Sequence, residues 1–252
     1  MKTISNYFKK IFILIVAFLL INTIKTYSTI TNITPLENCN DFTNNEDKKI
    51  AYLTFDDGPS KNTELILDIL KENDVHATFF IIHPYIKPHI KLIERAYEEG
   101  NAIGNHTADH EFKSVYTSET AFFNSFNKQQ DFIKKVTGND CSIFRFPGGS
   151  HNTLVRKCHG KDFTKNLTEK LNEQGIHIYD WNVDSGDAKG NNIPANILIK
   201  NISKDIKDKD GNLKNPAIIL MHDCMTKNTT VEALPGIIKL LKDEGYIFEV
   251  LN

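Results

Sequence analysis

The sequence contains few cysteines, and they lie far apart. Cys39, Cys141, Cys158 and Cys224 form no CxxC pair, which excludes a zinc ribbon and a CxxC redox motif. Export would permit disulfides, but a domain of this size does not need them. Sequence alone does not assign pairings among four cysteines.

The sequence also lacks an excess of charge of either sign. Lys and Arg number 30 and Asp and Glu number 32, which gives a net charge of -2. This balance provides no broad basic surface for nucleic acid, so a neutral or weakly charged substrate fits better. No internal repeat is evident, and the length of 252 residues suits one large domain after an apolar N-terminal segment.

Residues 1–25 carry an export signature. Lys2, Lys9 and Lys10 precede an apolar run over residues 11–21. The run is shorter than the roughly 20 residues that span a bilayer, yet residues 25–31 contain no small-x-small cleavage site. A signal peptide and an uncleaved membrane anchor therefore both remain open, and either one predicts a domain outside the cytoplasm.

Residues 26–48 are polar and aperiodic, which predicts a linker before a folded domain over residues 49–252. In that domain, short β-rich runs alternate with amphipathic helical patterns such as residues 63–72 and 231–242. This alternation of about seven β/α units predicts an α/β fold with a parallel sheet, either a closed barrel or a doubly wound sheet. The predicted strands cover residues 50–55, 77–82, 101–105, 142–146, 176–181, 216–221 and 246–250.

Polar residues occur at the carboxyl ends of these predicted strands, which is the rim where β/α barrels build active sites. The residues are Asp56, Asp57, His106, Arg145, Asp184 and His222. Because this rim is shared, residues distant in sequence are expected to converge there.

Two adjacent carboxylates end the first strand in the segment TFDDGPS, residues 54–60. Adjacent carboxylates repel unless a positive charge separates them. One carboxylate that binds a metal and one that acts as a base would resolve this conflict, whereas the alternative is an ordinary Asp-Gly turn.

Two histidines four residues apart, His106 and His110, follow the third strand in the segment HTADH. On one helical turn their imidazoles would point the same way. Two histidines and one carboxylate leave a coordination position open, as in catalytic zinc sites. In the later segments, Arg145 is a candidate to fix a carboxylate, and Asp184 and His222 are a candidate orienting pair.

These segments together resemble the motifs of the NodB-type polysaccharide deacetylases, carbohydrate esterase family 4. The resemblance spans about residues 50–250 and includes TFDDGPS, HTxxH, RFPGG, DWNVDSGD and LMH in the family's order. It implies a distorted (β/α)7 barrel and hydrolysis of N-acetyl groups.

The resemblance implies that Asp57, His106 and His110 bind one divalent metal ion. Zinc is the expected ion, with Co²⁺ or another divalent ion as alternatives. It also implies that Asp56 is the general base that takes a proton from the attacking water, and that Arg145 orients Asp56.

The same resemblance implies that His222 is the general acid and that Asp184 holds its imidazole. The backbone N–H of Gly148 is expected to stabilise the oxyanion, and Leu220 to line the pocket for the acetyl methyl group. Many relatives have an aromatic residue where this chain has Gly148, and another where it has Ala188. Because both usually wall the sugar groove, stacking surfaces for sugar rings must come from other residues here.

The expected partner is an acetylated cell-wall glycan, most simply N-acetylglucosamine of peptidoglycan, given the export segment. N-acetylmuramic acid, chitin oligomers and another exopolysaccharide remain open, as does O-acetyl ester hydrolysis. Two further alternatives are a non-catalytic wall-binding protein and a phosphoesterase, although a phosphoesterase more often needs a second metal. The membrane is a partner only if the N-terminal segment stays uncleaved, and the oligomeric state is not predicted.

Overall fold

The computed structural model describes residues 48–84 and 86–252. The predicted N-terminal segment (1–25) and the predicted linker (26–48) lie outside these residues, apart from Lys48. In the described part, no helix combines the length and the apolar character needed to cross a bilayer.

The described residues form one sheet in which all eight strands pair in parallel, in the order β5-β4-β3-β2-β1-β7-β6, with β8 beside β1. The strands are β1 Lys49–Asp56, β2 Thr78–Ile81, β3 Ala102–Asn105, β4 Ile143–Phe144, β5 His177–Ile178, β6 Val183–Asp184, β7 Ala217–His222 and β8 Tyr246–Phe248. The helices are α1 Lys61–Glu72, α2 Lys87–Glu98, α3 Phe112–Val115, α4 Glu119–Thr137, α5 Thr153–His159, α6 Phe163–Glu173, α7 Ala195–Asp205 and α8 Asn228–Asp243.

Strand β1 lies in the interior of the sheet, between β2 and β7, and its alternate residues point to the two faces of the sheet. Leu53 and Phe55 are fully buried in the main hydrophobic core, together with Ile66 of α1 and Ile237 of α8. Successive residues of a strand point to opposite faces, so Thr54 and Asp56 point away from this core. One set of alternate β1 side chains thus packs against the covering helices, and the other set points to the opposite face of the sheet.

A second hydrophobic core is mainly aromatic and supports the segment after β4. Phe122 and Phe126 of α4 pack against Phe144 and Phe146, whose ring centroids lie 4.9 Å apart. Arg145 lies between these two phenylalanines in sequence and therefore points to the opposite side. Burial of aromatic surface on α4 thereby fixes the position of the arginine.

The expected distorted (β/α)7 barrel is confirmed, with one strand more than the sequence predicted. The extra strand, β6, has only two residues and is too short to give a periodic signal. Strands β5 and β6 end the hydrogen-bonded order of the sheet, and residues 179–182 connect them along the chain. Both predicted helical patterns fall within observed helices, α1 and α8.

Candidate active site

The two adjacent carboxylates after β1 face different partners because the backbone turns sharply between them. Asp56 is the last residue of β1, and Asp57 has a positive φ of 71°. A non-glycine residue in that region is strained and is held there by its surroundings. The next residue, Gly58, has no room for a side chain, because a Cβ there would lie 2.1 Å from Oδ2 of the buried Asp223.

The histidine pair lies in a loop rather than on a helical turn, so the sequence-based prediction of its local structure was wrong. Residues 106–111 follow β3 without helix, and Thr107 has a positive φ of 66°. The Thr107 N–H donates to Asn105 Oδ1 at 2.7 Å, which stabilises the turn. The ring centroids of His106 and His110 are nevertheless 5.3 Å apart, because the loop curls both imidazoles to one side.

Asp57, His106 and His110 together form a site that fits one metal ion. Their candidate ligand atoms all lie within 4.8 Å of one another. Asp57 Oδ1 is 3.5 Å from His106 Nε2 and 3.6 Å from His110 Nε2, and this buried oxygen has no hydrogen-bond partner among the described residues. Two nitrogens and one oxygen are a ligand set typical of catalytic zinc.

The environment of His106 favours a neutral imidazole whose free nitrogen faces this site. Burial lowers the pKa of His106 to about 3, against the opposing effect of the Asp57 charge. His106 Nδ1 lies 2.8 Å from the backbone carbonyl oxygen of Arg145, which assigns the proton to Nδ1. A carbonyl that orients a metal-binding histidine in this way is a common supporting contact in metal sites.

Arg145 is fully buried and holds Asp56 in place. Its Nη1 donates to Asp56 Oδ1 at 2.9 Å and to Thr54 Oγ1 at 2.7 Å. Its Nε and Nη2 donate to the carbonyl oxygens of Tyr179 at 2.9 Å and Asp180 at 3.3 Å. The guanidinium thus connects β1 to the segment between β5 and β6, and the expected contact between Arg145 and Asp56 is present.

His222 is paired with Asp187 and not with Asp184, so the sequence-based assignment of its partner was wrong. His222 Nδ1 lies 2.8 Å from Asp187 Oδ1, and the His222 backbone N–H donates to Asp187 Oδ2 at 2.8 Å. Asp184 instead accepts a hydrogen bond from the Gly186 N–H at 2.7 Å and lies 4.0 Å from Lys189 Nζ. Asp184 therefore shapes the turn that brings Asp187 to the histidine.

The pairing keeps the His222 imidazole positively charged at neutral pH. Burial alone would lower the pKa of His222. The hydrogen bond and charge of Asp187, together with the charges of Asp56 and Asp57, outweigh burial and raise the pKa to about 9. Burial opposes ionisation of Asp187 as well, but hydrogen bonds from His222 and Thr230 lower its pKa.

Sequence reasoning also missed the residues that hold Asp187. Thr230 Oγ1 donates to Asp187 Oδ2 at 2.8 Å, and the buried Lys227 Nζ donates to the Asp187 carbonyl oxygen at 2.8 Å. The one local signal for Asp187 is Gly186, whose left-handed backbone reverses the chain after β6. The contacts from α8 and the segment before it have no sequence signature.

The base and acid candidates lie on neighbouring strands at the same level. In the parallel pair of β1 and β7, Asp56 is the register partner of His222. Leu220 lies two residues earlier on β7, on the same face as His222, and is buried. Gly148 lies in the turn after β4 at a φ of 74°. The roles expected for Leu220 and Gly148 stay predictions.

The sequence of this chain is similar to those of known polysaccharide deacetylases. The family model described as polysaccharide deacetylase matches residues 43–162. A peptidoglycan-N-acetylglucosamine deacetylase of Bacillus cereus is 34% identical over 83% of this chain and 71% of its own length.

Two solved structures are similar to the chain over most of their length. The catalytic domain of a peptidoglycan N-acetylglucosamine deacetylase from Eubacterium rectale has a TM-score of 0.74 and 36% identity, over 83% of this chain and 91% of that one. A polysaccharide deacetylase of Bacillus cereus has a TM-score of 0.68 and 34% identity, over 81% of this chain and 93% of that one. The chain therefore belongs to the polysaccharide deacetylase family, the NodB-type carbohydrate esterases, and is a hydrolase that acts on N-acetyl amide bonds.

Proposed function

We propose that this protein is a metal-dependent deacetylase that removes the N-acetyl group from N-acetylglucosamine of peptidoglycan outside the cytoplasm. The observation that carries this proposal is the three-residue metal site of Asp57, His106 and His110 beside a separate acid and base. The named substrate of the similar proteins supports the choice of glycan. The apolar N-terminal segment supports the location.

The ion that we propose for this site is zinc, because two imidazole nitrogens and one carboxylate oxygen match its preferred ligands. When bound, such an ion supplies Lewis-acid polarisation of the acetyl carbonyl.

Asp56 is the proposed general base. Its Oδ1 is held by Arg145, and its Oδ2 lies 3.8 Å from His106 Nε2, next to the metal site. A carboxylate in this position can take a proton from a water that attacks the acetyl carbonyl. Arg145 fixes the direction of the carboxylate, so the base does not have to reorganise during the reaction.

His222 is the proposed general acid. Its Nδ1 is engaged by Asp187, so its Nε2 is the nitrogen that can donate a proton to the departing amine. Asp187 stabilises the imidazolium before the transfer. The backbone N–H of Gly148 is proposed to donate to the developing oxyanion, and Leu220 to contact the acetyl methyl group.

The exchange Asp187→Asn tests the corrected acid pair through the pH dependence of kcat/KM. His222 must be protonated to act, and its pKa of about 9 keeps it protonated up to alkaline pH. Without the Asp187 charge, the pKa of His222 should fall to 6.5 or below. The variant should then lose about 30-fold in activity at pH 8 and much less at pH 6. The alkaline limb of the profile therefore moves to lower pH.

The matched control for this prediction is Asp184→Asn. An asparagine at position 184 can still accept the Gly186 N–H, so the alkaline limb should stay where it is in the wild type. If Asp184→Asn moved the limb and Asp187→Asn did not, the assignment of the acid pair would be refuted.

The proposed function is tested with purified full-length protein on intact peptidoglycan. Free acetate is measured, and the muropeptides released by a later digestion are analysed by mass spectrometry. Loss of an acetyl group from N-acetylglucosamine is the expected result, and dialysis against a chelator should abolish it until Zn²⁺ or Co²⁺ is restored.

Other outcomes would assign other functions. Loss of acetyl from N-acetylmuramic acid alone would change the sugar, and acetate release only from O-acetylated glycans would indicate an esterase. Unchanged release after chelation would refute the metal mechanism. Glycan binding with no acetate release from any glycan would favour a non-catalytic wall-binding protein.

A further inference from the structure

We propose that Phe112 is the stacking platform for a sugar ring in the substrate groove, in place of the aromatic residue that this chain lacks at position 148. This inference rests on the proposed function, because it identifies how the same site holds a glycan. It assigns to Phe112 the binding of the apolar face of a pyranose ring.

Phe112 lies directly beside the metal site. It is the first residue of α3 and follows His110 by two positions. The two ring centroids lie 5.3 Å apart with the ring planes at 71°. The Phe112 side chain packs against the second hydrophobic core but is only partly buried, so part of its surface remains accessible.

The space beside Gly148 is already filled by Phe112. A Cβ added at Gly148 would lie 2.8 Å from Phe112 Cζ and 2.2 Å from Asn152 Nδ2. The positive φ of Gly148 disfavours a larger residue as well. The aromatic ring next to the metal site is therefore supplied by the first residue of α3 rather than by the turn after β4.

Phe112 also forms one wall of a mainly apolar groove next to the site. The groove has a volume of about 480 Å³, and Phe112, Tyr116, Leu154 and Val155 line it. Leu154 is 62% exposed, and Tyr116 already donates its hydroxyl to the Pro147 carbonyl oxygen at 3.0 Å. These four side chains thus present mainly carbon atoms to the groove.

A pyranose ring is the occupant that fits these walls. The C–H groups on one face of the ring can pack on Phe112, while its hydroxyls can reach solvent or the exposed Lys113 and His159, which also line the groove. The groove volume lies within the range of small-ligand sites. Phe112, which lines the groove, also contacts the His110 ring of the metal site.

The inference is tested with Phe112→Ala, Phe112→Leu and Phe112→Trp in the full-length protein. The probe is the tetramer of β-1,4-linked N-acetylglucosamine. We expect Phe112→Ala to raise KM about three- to tenfold with a much smaller change in kcat, which is the size of a typical aromatic contact. Phe112→Trp should stay within about twofold of the wild type, and Phe112→Leu should behave like Phe112→Ala.

Direct binding provides a second measurement. Calorimetric titration of the tetramer into Asp56→Asn should show the same three- to tenfold weakening when Phe112→Ala is added. Ile197→Ala is the matched control, since Ile197 is an exposed apolar residue on α7 outside the groove.

The two proposals fail in different ways. If the wild type released no acetate from any glycan, the proposed function would be wrong, and the binding titration would still test Phe112. Unchanged KM and Kd in Phe112→Ala, with normal turnover by the wild type, would overturn the inference alone. So would a lower metal content in Phe112→Ala, because the residue would then act by supporting His110, or wild-type affinity in Phe112→Leu.

Discussion

Replacing His110 with alanine is expected to empty the metal site and to reduce deacetylation by about three orders of magnitude or more. His110 is one of the three proposed ligands among the described residues, and two remaining ligands would bind a divalent ion weakly. The His110 side chain is 35% exposed, so its removal leaves the core intact and the fold should survive. The metal content of the purified variant, measured by plasma mass spectrometry beside its acetate release, checks both parts.

The control for this variant is His76→Ala, which removes an exposed histidine before β2, away from the metal site. It should keep one ion per chain and wild-type turnover. Full metal occupancy in His110→Ala would contradict the assignment of this ligand. Loss of metal with no loss of acetate release would contradict the mechanism instead.

The exchange Asp56→Asn should give the opposite combination, in which the metal is retained and turnover is lost. An asparagine cannot take the proton of the attacking water, and a positioned general base contributes about 10²- to 10⁴-fold. Its side-chain oxygen can still accept the hydrogen bond from Arg145 Nη1, so the local structure should be kept. The decisive measurements are kcat and bound metal on the same preparation.

Asp57→Asn is the informative comparison for that experiment. The two aspartates are adjacent in sequence, but only Asp57 belongs to the metal site. We therefore expect Asp57→Asn to lose metal and Asp56→Asn to keep it. Equal metal loss in both variants would mean that the two carboxylates share one role.

Much of this site could be predicted from the sequence because its residues lie at strand ends. Strand β1 is buried and regular, so the position of Asp56 and Asp57 at its carboxyl end follows from the pattern alone. The same holds for His222 at the end of β7. In a parallel sheet these ends meet at one rim, and the structure brings these residues together there.

The two wrong predictions, the partner of His222 and the conformation of the loop between His106 and His110, concern short irregular segments. The side chain that reaches His222 depends on the left-handed backbone at Gly186 and on contacts from Lys227 and Thr230, which are distant in sequence. The spacing of the three aspartates in DWNVDSGD does not reveal which of them faces the histidine. The loop between His106 and His110 was misjudged for a similar reason, since a spacing of four residues suits a helical turn but does not require one.

The register between β1 and β7 has a consequence for how this fold can change its substrate. Asp56 and His222 are paired across two hydrogen-bonded strands, so the spacing of the proposed base and acid follows from the strand spacing of about 4.8 Å. Phe112 and Leu154, which line the proposed sugar-binding groove, belong to the short helices α3 and α5 outside the sheet. Exchanging those segments between relatives should therefore alter glycan preference while the proton-transfer geometry persists, which makes the scaffold suited to such grafting.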